Sequence, residues 1–200
     1  MALSKVNFNS MNVTPSASKA IKFNSSNNGL EAGDIGGSLV LISTVTASSS
    51  STVDFTSGID STYKEYQFHF TDVHPATNDA NLQVNFRDGG SSFDATKTTT
   101  FFRAYHTEDG SGSGLEYRTA NDLAQGTGAA TLNIGAGNEN DECTSGILHL
   151  FDPSSTTFVK HFMCDSNLYE GGNNSHRALV AGYANVTAAI DGVQFSFSSG

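Results

Sequence analysis

The stretch "STYKEYQFHFTDV" (residues 61–73) decides the fold class of this chain. From Tyr66 onward, aromatic and polar residues alternate strictly, which is the period of a β-strand with one buried face and one solvated face. The aromatic row Tyr66, Phe68 and Phe70 is expected to lie in a core. The opposite row, which contains His69, is expected to face water or a neighbouring subunit.

Runs of the same kind continue through most of the chain from Ser38 onward, separated by clusters of Gly, Asn, Asp and Ser that are typical of turns. Only "RTANDLAQ" suits a helical turn, so a fold of alternating strands and helices is excluded. The sequence therefore predicts an all-β, antiparallel β-sandwich, with a jelly roll as the favoured form. The predicted strands are "SLVLISTVTA", "STVDFTS", "KEYQFHFTDV", "ANLQVNFRD", "TTTFFRAYHT", "GLEYRT", "ATLNIG", "SGILHLFDP", "TTFVKHFMC", "ALVAGYAN" and "DGVQFSFSS".

The N-terminal segment differs from the rest of the chain. Its apolar residues are sparse and its glycines cluster in "EAGDIGG", so it cannot build a core of its own. We expect an extended N-terminal anchoring arm over residues 1–37 and a jelly-roll-like sandwich domain over residues 38–200. The arm is expected to order by docking on another protein, where it would bury Ile21, Phe23 and Leu30.

The charge of the chain restricts its partners. The net charge is -10 with only 10 lysines and arginines, and the pI is near 4.8. Such a surface repels phosphates, so nucleic acid is excluded as the main partner. The amino terminus has no continuous apolar run, which predicts neither a signal peptide nor a membrane span and indicates synthesis in the cytosol.

Motifs for catalysis and cofactor binding are absent from the sequence. It contains no G-x-S-x-G nucleophile turn and no phosphate-binding loop, and its six histidines never form the H-x-H pair of cupin metal sites. We therefore predict no catalytic residue, no metal and no cofactor. Two questions stay open, namely calcium binding by the acidic loop 138–142 and a disulfide between Cys143 and Cys164.

Extended tracts of the sequence carry a resemblance to a known family. They are "STVDFTSGIDSTYKEYQFHFTDVHPATNDANLQVNFRDGG", "KTTTFFRAYH" and "SGILHLFDPSSTTFVKHF". Over residues 36–200, with the arm also similar, the chain resembles small virion structural and tail-fibre-like proteins of marine tailed bacteriophages that infect cyanobacteria and related hosts. The resemblance implies a non-enzymatic component of a virus particle assembled in the host cytoplasm.

The leading functional hypothesis is a tail fibre or tail tip protein. Its arm would dock on the virion, its sandwich would form a homo-oligomer, with a trimer as the expected state, and its loops would contact the host surface. The alternative is a capsid decoration or head-fibre protein, and a carbohydrate depolymerase with two carboxylates is the least favoured hypothesis. His69 is the candidate for a pH-sensitive subunit contact. The candidate contacts with a host glycan or protein are the loop-associated tyrosines Tyr105, Tyr117, Tyr169 and Tyr183.

Overall fold

The computed structural model describes residues 13–14, 19–33 and 39–200. Within these residues the chain consists of antiparallel β-strands and one turn of 3₁₀ helix, Thr119–Asn121, in the run where a helical turn is predicted. The all-β, antiparallel prediction is confirmed. The strands are β1 (Ala20–Phe23), β2 (Leu30–Gly33), β3 (Thr52–Phe55), β4 (Glu65–Val73), β5 (Ala80–Arg87), β6 (Lys97–Thr107), β7 (Ser113–Tyr117), β8 (Ala130–Ala136), β9 (Thr144–Phe151), β10 (Lys160–Glu170), β11 (Asn174–Ala184) and β12 (Gly192–Phe197).

Strands β3 to β12 form two stacked layers within the unit Val45–Gly200. One layer has the order β3-β12-β5-β8 and the other β4-β9-β10-β11-β6-β7. The layers join where the end of β10 pairs with β8, at Glu170 and Ala136. Across the space between the layers, the rings of Phe86 and Phe162 pack with centroids 5.0 Å apart. This arrangement is a β-sandwich, and its finer classification as a jelly roll stays a prediction.

The core of the sandwich follows directly from residue alternation. Along β10 the side chains of Phe162, Cys164 and Leu168 are buried, whereas those of His161 and Met163 between them are exposed. Each large apolar side chain buried in this way stabilises the fold by about 1.5–3 kcal/mol. Alternation in the sequence is therefore what places the two inner faces against each other.

The stretch that opened the sequence analysis forms β4 as predicted. Tyr66 is buried and its hydroxyl donates a hydrogen bond to the carbonyl oxygen of Asp60 at 3.0 Å, while Phe68 is half-buried in the same row. In the opposite row His69 is exposed, and its Nε2 lies 3.2 Å from Oε1 of Gln67. The aromatic row belongs to the core.

The first predicted strand, "SLVLISTVTA", is wrong. Residues 39–47 have no strand assignment, and Leu41 is 82% exposed. The composition suits a strand, but an extended segment becomes one only when a neighbouring strand pairs with its backbone groups. No strand in the described part of the chain does so.

Residues 20–33, which lie within the predicted arm, form a β-hairpin that the sequence analysis missed. In it β1 pairs with β2, with Phe23 opposite Leu30 and Lys22 opposite Glu31. Strands this short leave too few alternating residues to detect in the sequence. The predicted boundary between residues 37 and 38 lies outside the described residues.

Two lysines lie inside the sandwich, where charged side chains are rare. Lys97 and Lys160 flank Ala184 across the adjacent strands β6, β11 and β10, and both are fully buried. The Lys97 ammonium donates to the carbonyl oxygen of Ala95 at 2.7 Å and also to Asn85 Oδ1. Lys160 reaches backbone carbonyl oxygens of the loop before β12, one of them at 2.9 Å. Through these hydrogen bonds each buried amine holds a loop against one end of the core.

Candidate functional site

A polar depression of ≈ 210 Å³ lies at the end of the sandwich where β6, β8 and β10 meet. Its volume is below that of typical small-molecule pockets, so it suits a single small polar group such as one sugar unit. Its wall contains both hydrogen-bond donors and acceptors. The lining residues are Asp79, Asn81, Arg103, Arg118, Asn121, Ile134, Gly135 and Glu170.

An ion network around Arg103 forms one wall of this depression. Arg103 Nε lies 2.5 Å from Oε1 of Glu116 on β7, and Arg103 Nη1 lies 4.0 Å from Oε1 of Glu170 on β10. The hydrogen bond from Arg103 holds the pKa of Glu116 below its usual value. A glycosidase general acid needs the opposite shift, so Glu116 does not suit that role.

His176 also belongs to this network and is only 1% exposed. Burial lowers the pKa of its imidazole, the Glu170 carboxylate raises it, and Arg103 lowers it further. The net direction is downward, so the ring is neutral at pH 7. Arg103 Nη1 donates to Nε2 of this neutral ring at 2.8 Å, which leaves Nε2 unable to donate to the Glu170 carboxylate 3.3 Å away. Arg103 is therefore fixed in place from three directions.

One glycine is required for the depression to form. Gly135 on β8 has φ 80°, a conformation that favours glycine, and a Cβ atom there would lie 2.8 Å from Oε1 of Glu170. The close approach of β8 to the end of β10 therefore depends on this residue.

The structure separates the four candidate tyrosines into two groups. Tyr105 lies opposite His176 in the β6–β11 register, with the Arg103 guanidinium 5.0 Å from its ring centroid. Tyr117 is 53% exposed on β7 and donates a hydrogen bond to Asp122. Together with Tyr169, these tyrosines are on strands whose ends surround the depression.

Tyr169 lines a second depression, of ≈ 380 Å³, formed by β6, β10 and β11. Its hydroxyl donates to Oδ1 of Asn173 at 3.2 Å. Tyr183 packs against His161 with ring centroids 6.2 Å apart. Tyr183 is seven residues along β11, about 23 Å, from the level of His176 and Tyr105. Tyr117 is level with Leu179, so it is only about 13 Å from Tyr183 along the strand direction.

Tyr105 is in the inner-facing row of β6 with Arg103, whereas Tyr117 pairs with the exposed Phe102 on the outer face. Tyr169 pairs with the exposed Ser175 and is also on the outer face. The structure therefore does not bring the four candidate tyrosines together on one surface.

The three apolar residues predicted to anchor the chain lie on one face of the N-terminal hairpin. Ile21, Phe23 and Leu30 share this face because strand side chains alternate and Phe23 pairs with Leu30. They are 39%, 71% and 37% exposed. The opposite face carries the ion pair of Lys22 with Glu31 at 3.5 Å. The hairpin is therefore amphipathic, and its apolar face is uncovered.

The two cysteines are free thiols in the structure. Cys164 is buried in the core, where burial raises the pKa of its thiol to about 12. Cys143 is half-buried with its Sγ 3.7 Å from Oδ1 of Asp72. A disulfide between them is not formed.

The acidic loop 138–142 uses its last carboxylate internally. Glu142 is buried, and its Oε2 accepts a hydrogen bond from the backbone N–H of Glu139 at 2.8 Å. Among the described residues, no group of three His, Cys, Asp or Glu side chains is arranged to hold a metal ion. The Glu142 carboxylate stabilises the loop backbone.

The sequence analysis did not identify Arg103, Glu116, Glu170 and His176 as a group. Members of this group that contact one another are up to 73 residues apart in the chain, and only the strand register brings them together. The available signal was alternation, because His176 is in phase with the buried residues Ala178 and Val180 of β11. That phase predicts a buried histidine, which needs a polar partner.

Comparison with known protein families, curated proteins and solved structures finds no match to this chain. The described residues contain no helix of the length and hydrophobicity needed to cross a membrane. The resemblance to virion proteins of marine tailed bacteriophages stays a prediction.

Proposed function

We propose that this chain is a non-enzymatic structural protein of a tailed-bacteriophage virion, a tail fibre or tail tip component assembled in the host cytoplasm. It would dock on the particle through its N-terminal segment, associate with copies of itself, and contact the host surface through loops of the sandwich. The observation that carries the proposal is the uncovered apolar face of the N-terminal hairpin.

This apolar face has the properties of an anchor. A two-stranded hairpin is only marginally stable alone, so its ordering gains from a partner surface. Burying the 71% exposed side chain of Phe23 contributes about 1–2 kcal/mol, and burying Ile21 and Leu30, which are 39% and 37% exposed, contributes about 0.5–1 kcal/mol each. The ion pair on the opposite face stays in water, which fixes the orientation of the hairpin on its partner. The hairpin thus has a docking face and a solvent face.

The end of the sandwich around the polar depression suits contact with a carbohydrate. An exposed tyrosine ring stacks on the apolar face of a sugar, and neighbouring polar groups bond to its hydroxyls. Tyr117 provides an exposed ring, and Arg118 and Asn121 beside it provide hydrogen-bond donors. We propose that this end of the sandwich faces the host.

The location of the chain on the particle tests the virion role. Particles of the phage that encodes the chain would be stained with gold-labelled antibody against it and viewed by negative-stain electron microscopy. We expect label at the tail. Label on the head would replace the proposal with a capsid decoration or head-fibre protein, and particles without label would overturn the virion role altogether.

The docking face is tested by a matched pair of substitutions on one strand. Phe23→Ser alters the apolar face and Lys22→Ser the charged face, and neither side chain is buried within the chain. We expect Phe23→Ser to reduce incorporation into particles at least about tenfold, since a buried phenylalanine contributes that much to binding. Lys22→Ser should be incorporated normally. Equal incorporation of both variants would contradict docking through this face.

The host contact is tested by binding to whole host cells and to a glycan array. Tyr117→Ala is expected to weaken binding, whereas Tyr183→Ala, at the far end of β11, is expected to leave binding unchanged. If both variants bind like the original chain, the depression end of the sandwich is not the host contact.

A further inference from the structure

Residues 39–45, "LVLISTV", form an exposed apolar segment without a strand partner in the described chain. No charged residue and no proline occurs between Asp34 and Asp54. An uncharged run rich in β-branched and leucine residues is typical of a strand that pairs with a neighbour. The apolar side chains of this 39–45 segment are 47–82% exposed, namely those of Leu39, Val40, Leu41, Ile42 and Val45.

A free strand edge of suitable length exists on the sandwich. β4 has nine residues and, among the described strands, pairs only with β9. The backbone groups along its other side are therefore open to another strand. β3 at the edge of the other layer also pairs on one side only, with β12, but it has just four residues. β7, at the far edge of the layer that contains β4, pairs only with β6 among the described strands and has five residues. Of the three edges, β4 fits the 39–45 segment best.

The core is incompletely covered at this same edge. Phe55 on β3 and Phe68 on β4 meet across the layers with ring centroids 5.3 Å apart, and both rings also contact Phe195 on β12. These rings and that of Phe70 are only half-buried, whereas Phe86 and Phe162 at the centre of the sandwich are fully buried. A strand added beside β4 would cover this aromatic cluster.

We propose that the 39–45 segment of one copy of this chain adds as an extra strand along the free side of β4 in a second copy. Every copy carries both the unpaired segment and the open edge, so copies complete one another without a further protein. When the two elements of each copy engage different neighbours, the assembly closes into a ring such as a trimer. The inference rests on the homo-oligomer proposed above and names the contact that holds it together.

The composition of the segment suits this position in either register. Side chains of a strand alternate between faces, so a shift by one residue exchanges the row that contains Leu39 and Leu41 with the row that contains Val40 and Ile42. Both rows are apolar. Whichever row faces inward therefore packs on the half-buried phenylalanines beside β4.

The first test is the mass of the chain in solution as a function of concentration, measured by sedimentation or light scattering. Leu41→Asp places a charge in the segment, and Leu115→Asp places the same charge on β7, where Leu115 is 75% exposed. We expect the original chain and the Leu115→Asp variant to associate equally. Ile42→Asp places the charge in the other row of the segment. Whichever of Leu41→Asp and Ile42→Asp alters the inward-facing row should associate about tenfold more weakly or worse, because an apolar contact is replaced by a buried carboxylate.

The possible results separate the two proposals. An original chain that stays monomeric overturns both the homo-oligomer and the strand addition. An oligomer that persists unchanged in both Leu41→Asp and Ile42→Asp keeps the homo-oligomer and overturns only the strand addition. Since Leu41 and Ile42 are exposed in the single chain, an unchanged unfolding transition at low concentration confirms that each variant folds.

The second test identifies the strand that receives the segment. In a Cys143→Ser background, chains with Leu41→Cys are mixed with chains carrying His69→Cys on β4 and treated with a short bismaleimide reagent. We expect a covalent dimer joined between positions 41 and 69. The control mixture uses Leu115→Cys on β7 instead, and a dimer joined to position 115 as efficiently as to position 69 would overturn the assignment.

Discussion

The buried lysine of β6 predicts an unusual rise of stability with pH. Lys97 is fully buried, and burial lowers the pKa of its ammonium to about 8, although Asp94 and Asp88 raise it in part. In the unfolded chain the same group titrates near 10.5. Between these two values the unfolded state binds more protons than the folded state, so the free energy of unfolding increases with pH.

The size of the effect follows from the shift in pKa. A decrease from 10.5 to about 8 corresponds to about 3 kcal/mol between the charged and neutral forms. This contribution is fully present above pH 10.5 and is lost as the pH falls to 8. About three quarters of it is gained between pH 7 and pH 10, which is the range convenient for measurement.

The perturbation is Lys97→Met, which retains an unbranched side chain and removes the charge. It also removes the donor to Ala95 and Asn85, but Asn85 Oδ1 still accepts from the backbone N–H of Phe86 at 3.1 Å. That loss is the same at every pH. The difference in unfolding free energy between the two proteins therefore isolates the titration of Lys97 as the pH changes.

The assay is urea unfolding at intervals from pH 7 to pH 10, followed by circular dichroism. We expect the stability of the original chain to rise relative to Lys97→Met by about 2 kcal/mol or more over this range. Lys64→Met is the control, because the Lys64 side chain is 80% exposed and its pair with Asp152 lies in solvent. A difference between the original chain and Lys97→Met that is flat with pH would refute the reasoning.

The remaining predictions concern packing and the ion network. Phe162→Ala should lower the unfolding free energy by about 3–5 kcal/mol, while Met163→Ala on the exposed face should change it by less than about 0.5 kcal/mol. Gly146→Ala should destabilise by about 1–3 kcal/mol, because its Cβ would lie 2.6 Å from a backbone oxygen of β10, whereas Gly128→Ala meets open space and should be neutral. Since the pKa of His176 is lowered, the free energy of unfolding should fall as the pH drops below 6.5. His176→Gln should remove this dependence on pH. Each of these results is measured from the midpoint of urea unfolding.

Local alternation made most of the sandwich predictable. In β10 every second residue from Phe162 to Leu168 is buried, and in β4 Tyr66, Phe68 and Phe70 face inward as the sequence indicates. These patterns report a property of each strand alone, namely which face is apolar. They contain no information on which strands are neighbours, and the order of strands became known only from the structure.

The same alternation also predicts the position of a buried charged residue, Lys97. Lys97 is in phase with Thr99 and Phe101, which are both buried, so alternation along β6 does place Lys97 on the inner face. The general rule that lysines are exposed opposes this placement. The structure resolves the conflict, because the amine finds Asn85 and the Ala95 carbonyl oxygen, and neither partner can be inferred from sequence spacing.

The network around Arg103 depends on register to a greater degree. Arg103 meets Glu116 because β6 and β7 place them directly opposite, and it meets His176 through β11. A shift of either pairing by one residue would turn the partner to the other face of its layer. The individual residues are thus visible in the sequence as polar members of strands, but the depression that they form exists only once three strands are aligned.

The wrong strand prediction at residues 39–47 leads to a different conclusion. The sequence there satisfies every local requirement of a strand, yet the single chain leaves Leu41 exposed and its backbone without a partner strand among the described residues. Local preference and the structure of one chain agree elsewhere in the sandwich, so their disagreement at this segment needs a cause. The proposed addition of this segment to a second copy would provide that cause, because β-structure requires a neighbouring strand and a second copy can supply one. In the proposed contact, β4 is the receiving strand. Its free side has unpaired backbone groups, and the ring of Phe68 beside it is only half-buried.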